Sequence, residues 1–279
     1  MASGILRGAR SPMFTKYQTL AAASRLPTGR TMRTMLTTAL GTAAGLVALA
    51  FALSTLERWL AGHKPHELAW TVSLLMFSIA SFALAAGARA GWDDTTFRVF
   101  WIFGAVANVP FLAVGTVYLL TSRRTGHITA AAVALAVAFA AGVITMAPFR
   151  AALPSDRLPQ GAEVFDALPR ILAGVASGGA ALVVFAGAVW SAWRYRGGRM
   201  TVANVLIALG TAVTGASGLA NSVWGEMTAF AVFLVAGIAV IFAGFLVANG
   251  VRSEPARRLS AVPDAAPSPQ LPAAVTRRT

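Results

Sequence analysis

Three histidines are the side chains in this sequence best suited to hold a metal ion. His63 and His66 stand in the string His-Lys-Pro-His-Glu, and His127 follows much later in the chain. Pro65 favours an extended spacing of the first pair. With Glu67 these histidines could form a metal site, although no fourth strong ligand is dictated. We therefore favour solvated loop histidines, and we expect neither a bound metal nor a cofactor.

A single carboxylate stands out in the last third of the sequence. Glu226 is the only acidic residue between Arg199 and Arg252, and it lies in the string Trp-Gly-Glu-Met. It could bind a cation or a basic partner group at the membrane edge. Alternatively, it is an exposed charge that the dipole of the following helix favours. We prefer the second interpretation and keep Glu226 as a binding candidate.

Uncharged amides are the other polar groups that could bind a ligand. Asn108 precedes Pro110, which frees an upstream carbonyl and kinks a helix. Asn204 and Asn221 belong to a partly polar stripe in a later apolar run. These amides could line a pocket for a small neutral or lipidic ligand between the third, sixth and seventh runs. More often such groups join neighbouring helices by hydrogen bonds, which is the interpretation that we favour.

The elements that must position these residues are long apolar runs. Roughly twenty helical residues cross the ~30 Å hydrocarbon core of a bilayer. Seven runs without interior charge reach that length, at about 34–56, 69–88, 99–122, 128–149, 171–193, 200–222 and 227–250. The alternating ten-residue strands of a membrane barrel are missing. The sequence therefore predicts an all-α, polytopic transmembrane bundle of seven helices.

The regions outside the runs define the predicted domains. Residues 1–33 form a basic leader, and residues 252–279 form a tail rich in Pro, Ala and Arg. Both have too few large apolar residues to offset the entropy of ordering, so we expect disorder in both. The bundle then occupies residues 34–251, with one sizeable loop at about 150–170.

Composition excludes several classes of function. Hydrophobic residues make up 57% of the chain and charged residues 12%, against about 25% charged in soluble domains. The net charge of +13 comes from residues that flank runs or lie in the tails, so we expect no nucleic-acid partner. No cysteine is present, and no P-loop, dinucleotide or hydrolase motif occurs. We therefore expect a protein that is not an enzyme.

The distribution of basic residues predicts the orientation. Loops 1–2, 3–4 and 5–6 of the predicted bundle carry seven basic residues, and the other three loops carry five. Basic loops stay in the cytoplasm. We therefore expect a cytoplasmic C-terminus. The seven tryptophans lie near the ends of runs, where their amphipathic rings favour the headgroup layer.

Two glycine pairs have the spacing of a helix-packing motif. Gly41 and Gly45 lie in the first run, and Gly174 and Gly178 lie in the fifth. Glycines four residues apart allow two helix backbones to approach closely. In a chain with 26 glycines each match is weak alone, but together the runs predict tight packing.

Two longer strings carry a resemblance to a family. Residues 104–120, Gly-Ala-Val-Ala-Asn-Val-Pro-Phe-Leu-Ala-Val-Gly-Thr-Val-Tyr-Leu-Leu, and the later string Asn204-Val-Leu-Ile-Ala-Leu-Gly-Thr are of this kind. They resemble an uncharacterised family of actinobacterial multi-span membrane proteins. The resemblance implies a multi-pass protein of the bacterial cell membrane, and it assigns no functional residue.

The expected function follows from this class. We expect an integral membrane protein that acts through lipid or protein contacts, with a membrane-protein partner or as a homo-oligomer. The alternative is a sensor or carrier that binds a small neutral or lipidic ligand at the amides named above.

Overall fold

A computed structural model describes residues 29–154, 157–194, 198–224 and 227–259 of the chain. Over these residues the structure is all-helical and contains no strand. The helices are α1 (Gly29–Gly62), α2 (Pro65–Ala90), α3 (Asp94–Leu120), α4 (Arg123–Met146), α5 (Gly161–Val164), α6 (Ala167–Arg194), α7 (Arg199–Trp224) and α8 (Met227–Leu259).

Six of these helices are long and apolar enough to cross a membrane: α1, α2, α3, α4, α6 and α8. They overlap six of the seven apolar runs, and they indicate a multi-pass membrane protein. The remaining run, 200–222, falls in α7, whose apolar stretch within the described residues is the shorter Thr201–Gly215.

The predicted tails are only partly covered by the structure. Helix α1 begins at Gly29, inside the predicted leader 1–33, and α8 continues to Leu259, inside the predicted tail 252–279. The rest of both segments lies outside the described residues, so their predicted disorder stays a prediction.

Local signals fix several helix ends. Pro65 opens α2 at a position where a missing amide hydrogen costs nothing. Gly91 ends that helix with a φ of 89°, a conformation that favours glycine. Asp93 caps α3 by accepting a hydrogen bond from the Thr96 amide, and Ser122 caps α4 in the same way. The turns between these helices are therefore short, and consecutive helices are antiparallel.

The helices form a closed ring with one outer helix. Around the ring, α1 contacts α2, α2 contacts α3, α3 contacts α6, α6 contacts α7, α7 contacts α8, and α8 returns to α1. Helix α4 packs against α3 and α6 from outside. Short turns divide the connections between two ends. The "cap end" holds residues 91–93 and 147–166, and the "turn end" holds residues 63–64, 121–122 and the α6–α7 junction.

Glycines decide which helices approach most closely. A Cβ at Gly41 would lie 3.2 Å from the Ala85 amide nitrogen of α2, and one at Gly45 would lie 2.9 Å from the Phe82 ring. The first predicted glycine pair therefore packs α1 against α2. By contrast, no atom of the described residues lies within 4 Å of a Cβ built at Gly174 or Gly178.

The segment between α4 and α6 is a packed cap, although the sequence predicted only a loop there. Phe165, Leu158 and Val164 are buried, and the Phe165 ring stacks on Phe97 of α3 with centroids 5.7 Å apart. A Cβ at Gly161 would overlap the Trp101 indole, so glycine is needed where α5 crosses α3. The cap therefore closes one end of the bundle with aromatic side chains.

Arg98 joins this cap to the helices below it. Its guanidinium donates to the carbonyls of Ile144 and Ala147, at the C-terminal end of α4, and pairs with Asp94. It also lies over the Phe149 ring, 4.4 Å from the centroid. Carbonyls at a helix C-terminus have no partners within the helix. Arg98 supplies these donors.

Candidate functional site

The charged group most deeply enclosed in the described structure is Glu67. Its side chain is 1% exposed and lies in the first turn of α2, at the turn end. Arg58 of α1 donates a hydrogen bond to its Oε1, and the Arg58 guanidinium lies 4.8 Å from the Phe245 ring centroid of α8. The pair therefore connects α1, α2 and α8 where these helices meet the membrane surface.

Polar neighbours extend this pair into a small network. His66 Nε2 lies 3.4 Å from Glu67 Oε1. The Thr71 hydroxyl lies 2.8 Å from the Glu67 carbonyl oxygen and 2.8 Å from the Thr55 hydroxyl of α1. Among the described residues, Glu67 Oε2 has no hydrogen-bond partner. One carboxylate oxygen is thus used to hold the helices together, and the other is a buried acceptor.

The histidines do not converge on a common centre. His66 lies at Glu67, and His63 ends α1 with a φ of 48° and packs against Trp59. The Nδ1 of His127 lies 2.8 Å from the Tyr118 hydroxyl oxygen. Within the described residues no three His, Asp or Glu side chains are close enough to hold a metal ion.

Asn108 lies at the middle of α3, directly after a π-helical turn, Trp101–Ala107. The residue is buried, and its main-chain carbonyl accepts a hydrogen bond of 2.7 Å from Ser73 of α2. Its side-chain Oδ1 has no partner among the described residues. Turns of π-helix occur frequently at functional sites. Asn108 is therefore the sequence-predicted amide that keeps a binding capacity.

The π-helical turn is completed by a neighbouring helix. The Asn108 amide donates to the Phe103 carbonyl, five residues back. With the same spacing residue 110 would donate to the Ala105 carbonyl, but residue 110 is a proline and has no amide hydrogen. Ser177 of α6 donates to that carbonyl instead, at 2.6 Å. A hydroxyl on α6 thus replaces the hydrogen bond that Pro110 removes from α3.

The other predicted amides lie elsewhere. Asn204 of α7 donates to the Ser191 hydroxyl of α6 at 2.8 Å, which is a contact between helices. It lies five residues from the start of α7 at the turn end, whereas Asn108 lies near the middle of α3. The structure brings neither side chain into a contact with the other. The side chain of Asn221 and all of Glu226 lie outside the described residues.

Sequence reasoning missed the burial of Glu67, which it had placed in a solvated loop. The signal was present in Pro65. Proline at the first position of a helix would have started α2 at residue 65 and placed Glu67 inside its first turn. Arg58 and Glu67 then face each other across the short turn between α1 and α2.

At the cap end, Asp93 is the group whose titration the local structure changes. The Thr96 amide and the Thr96 hydroxyl both donate to its carboxylate, each at 2.8 Å. These hydrogen bonds stabilise the charged form, so the pKa of Asp93 lies below its ordinary value. Asp93 is solvent-exposed, and this arrangement is that of a helix cap.

Comparison with known proteins adds no family to this description. The chain matches no protein-family model, no curated protein and no solved structure. What the fold defines is a class: an all-helical chain with six helices that are long and apolar enough to cross a membrane.

Proposed function

We propose that this chain is a seven-span integral protein of the bacterial cell membrane that is not an enzyme and acts through lipid and protein contacts. The observation that carries the proposal is the surface of the outer helix. On α4, Leu135 is 75% exposed and Met146 is 80% exposed. Exposed apolar area costs roughly 25 cal/mol per Å² in water, and a bilayer removes this cost. Lipid or another membrane protein is the partner that such a surface fits.

The proposed seventh span is α7. The helix has 26 residues, which at about 1.5 Å per residue exceeds the ~30 Å hydrocarbon thickness. It also packs closely on α8, because a Cβ at Gly210 would lie 2.8 Å from the Gly237 carbonyl oxygen. A helix in such close contact with a span-capable neighbour fits best as a span beside it.

The proposed orientation places the turn end in the cytoplasm. Lys64, Arg123, Arg124 and Arg194 are exposed at this end. The C-terminal end of α8 lies on the same side, because each long helix reverses the direction of the one before it. Basic residues near span ends favour the cytoplasmic side, so the C-terminus is cytoplasmic in this proposal.

The absence of catalysis is also part of the proposal. What supports it is the use of the polar groups near and within the spans. Glu67 is paired with Arg58, and Asn204 is hydrogen-bonded to Ser191. The hydroxyls of Ser73 and Ser177 are donated to main-chain carbonyls. These groups hold helices together.

Membrane integration is tested by alkaline extraction of membranes that contain the tagged chain. We expect the chain to stay in the pellet. Leu135→Arg places a charge near the middle of α4, which costs roughly 2.5–3.5 kcal/mol of insertion, so this variant should integrate less. Thr95→Arg at the exposed cap end is the matched control and should integrate normally. Extraction of the unmodified chain into the supernatant would overturn the proposal.

A sensor or carrier of a small neutral or lipidic ligand is the second candidate. The observation that favours it is the buried, unpartnered Oδ1 of Asn108. Purified protein and its Asn108→Leu variant should be compared by mass spectrometry of co-purifying small molecules. A molecule present in the first sample and lost in the variant supports a ligand. An unchanged profile with a raised melting temperature supports packing alone, because the variant removes an orphan polar atom.

A further inference from the structure

A basic and aromatic surface lies at the turn end, on the membrane-facing side of α4 and α6. It consists of Arg123 and Arg124, which open α4, and Trp190, Trp193 and Arg194, which close α6. All five side chains are exposed. We call this set the "Arg–Trp patch". The roles described above for Glu67, Asn108 and the cap do not use these residues.

The fold brings the two halves of the patch to the same place. Helices α3 and α6 run parallel, since Ser177 contacts Ala105 and Gly187 packs against Thr116 further along both helices. A Cβ at Gly187 would lie 3.0 Å from Leu120, the last residue of α3. Helix α4 begins at residue 123, directly after α3 ends. The start of α4 and the last two turns of α6 are therefore neighbours.

The charges of the patch are not balanced by nearby acids. Over the described chain, no carboxylate lies within ion-pair distance of Arg123, Arg124 or Arg194. The described acids at the turn end are Glu57, on α1, and Glu67, which is buried against Arg58. The patch thus presents three guanidinium groups to a partner.

The cap end provides the contrast within the same molecule. There Arg98 pairs with Asp94, and the other two pairs have N–O distances of 3.1 Å for Arg150 with Asp166 and 2.9 Å for Arg157 with Glu163. These arginines already have anionic partners in the chain. The arginines of the patch must take theirs from outside it.

The tryptophans indicate where that partner lies. Trp190 and Trp193 are 53% and 58% exposed, and their rings are 5.8 Å apart. Tryptophan rings are enriched at the headgroup level of a bilayer. Guanidinium groups beside them would lie at the depth of lipid phosphates, which arginine binds with paired hydrogen bonds.

We propose that the Arg–Trp patch is a binding surface for anionic phospholipids, with the guanidinium groups on the headgroup phosphate and the indole rings at the headgroup–acyl boundary. The inference rests on the proposed function, since it needs α4 and α6 to lie in a bilayer. It adds the partner's chemistry: a lipid with net negative charge rather than a zwitterionic one.

The test compares lipid binding by the full chain purified in a neutral detergent. Native mass spectrometry counts bound phosphatidylglycerol and phosphatidylcholine at equal concentrations. We expect a preference for phosphatidylglycerol that weakens as salt rises. The double variant Arg123→Gln/Arg124→Gln should lose about fivefold in affinity for each arginine removed. The matched control Arg150→Gln/Arg157→Gln changes two arginines at the cap end and should keep the preference.

Further arms separate the alternatives. Equal binding of both lipids by the unmodified chain overturns the proposal without any variant. Competition by inorganic phosphate at the concentration of the lipid also overturns it, because a general anion site would then explain the data. If the double variant melts at a lower temperature, Arg124→Gln alone replaces it. Alkaline extraction of the same variants reports on membrane integration separately, so failure of lipid selectivity and failure of the proposed function are distinguishable.

Discussion

At the scale of single residues, the Arg58–Glu67 pair has the largest energetic consequence. A buried ion pair contributes little net stability, but removal of one partner leaves a charge that is neither solvated nor paired. Glu67 is almost fully enclosed, and Arg58 also contacts Phe245. The pair therefore specifies how α1, α2 and α8 meet rather than strengthening the fold in proportion to its charge.

We expect Glu67→Leu to destabilise the protein by about 3–5 kcal/mol, because it strands the Arg58 guanidinium. The double variant Glu67→Leu/Arg58→Met should recover much of this loss. Melting temperatures in detergent measure both effects. Glu163→Gln, which breaks the exposed pair with Arg157, is the control and should cost at most about 1 kcal/mol. A double variant that is as unstable as the single one would contradict this account.

Asp93 gives a dependence on pH with a definite sign. Its pKa is lower in the folded chain than in the unfolded chain, because the Thr96 amide and hydroxyl donate to the carboxylate. The contribution of Asp93 is therefore fully present above the unfolded aspartate pKa of about 3.9. It is lost as the pH falls through the lower, folded value.

The measurement compares the melting temperature of the protein with that of Asp93→Asn, which can still accept the capping hydrogen bond. The difference between the two should be constant near neutral pH and should shrink in the acidic range below about 3.9. Thr96→Val removes the hydroxyl donor and should reduce the pH dependence without abolishing it. A difference that is independent of pH would show that Asp93 is not held in this way.

At the scale of elements, α3 depends on its neighbours for its own hydrogen bonding. The π-helical turn and Pro110 together leave the Ala105 carbonyl without a main-chain donor, and Ser177 of α6 provides one. We expect Ser177→Ala to cost about 1 kcal/mol. In a Pro110→Ala background an amide becomes available to that carbonyl, so the same change should cost less.

Thermal melting of the four chains in this cycle gives the coupling between positions 110 and 177. Ser73→Ala, which removes a donor from the Asn108 carbonyl, is the matched control and should not couple to Pro110. Additive effects of Pro110→Ala and Ser177→Ala would sink the idea that one hydroxyl replaces one amide.

Glycines provide a second test of packing between elements. A Cβ at Gly115 would overlap the Trp70 indole of α2, so Gly115→Ala should destabilise the α2–α3 contact by about 1–3 kcal/mol. Gly174→Ala meets no atom within 4 Å and should be neutral or stabilising by up to about 1 kcal/mol. Equal melting temperatures for the two variants would contradict the packing described here.

The sequence predicts the elements far better than the contacts between them. A run such as 128–149 predicts α4 within a few residues, because its length and apolarity are local properties. The side-chain environment of Glu67 depends on how α1 returns into α2, which is not local. The π-helical turn was not visible either, although Pro110 predicted a disturbance of α3. For Glu226 and the side chain of Asn221 the sequence prediction stands untested.

At the scale of the whole molecule, the two ends differ in construction. Aromatic side chains and ion pairs close the cap end, where Arg98 binds the carbonyls of α4. The turn end carries the Arg58–Glu67 pair and the exposed Arg–Trp patch. This asymmetry is what a protein with a fixed orientation in an asymmetric membrane environment requires, and the proposed topology assigns each end to one side.

The most direct test of this account is cysteine labelling in intact cells, since the chain has no native cysteine. Single substitutions Thr95→Cys at the cap end, Lys64→Cys and Arg194→Cys at the turn end, and a cysteine added after Thr279 are treated with a membrane-impermeant maleimide. Seven spans with a cytoplasmic C-terminus predict labelling of the Thr95 variant alone until the cells are permeabilised. Labelling that places Arg194 and the C-terminus on opposite sides would contradict it.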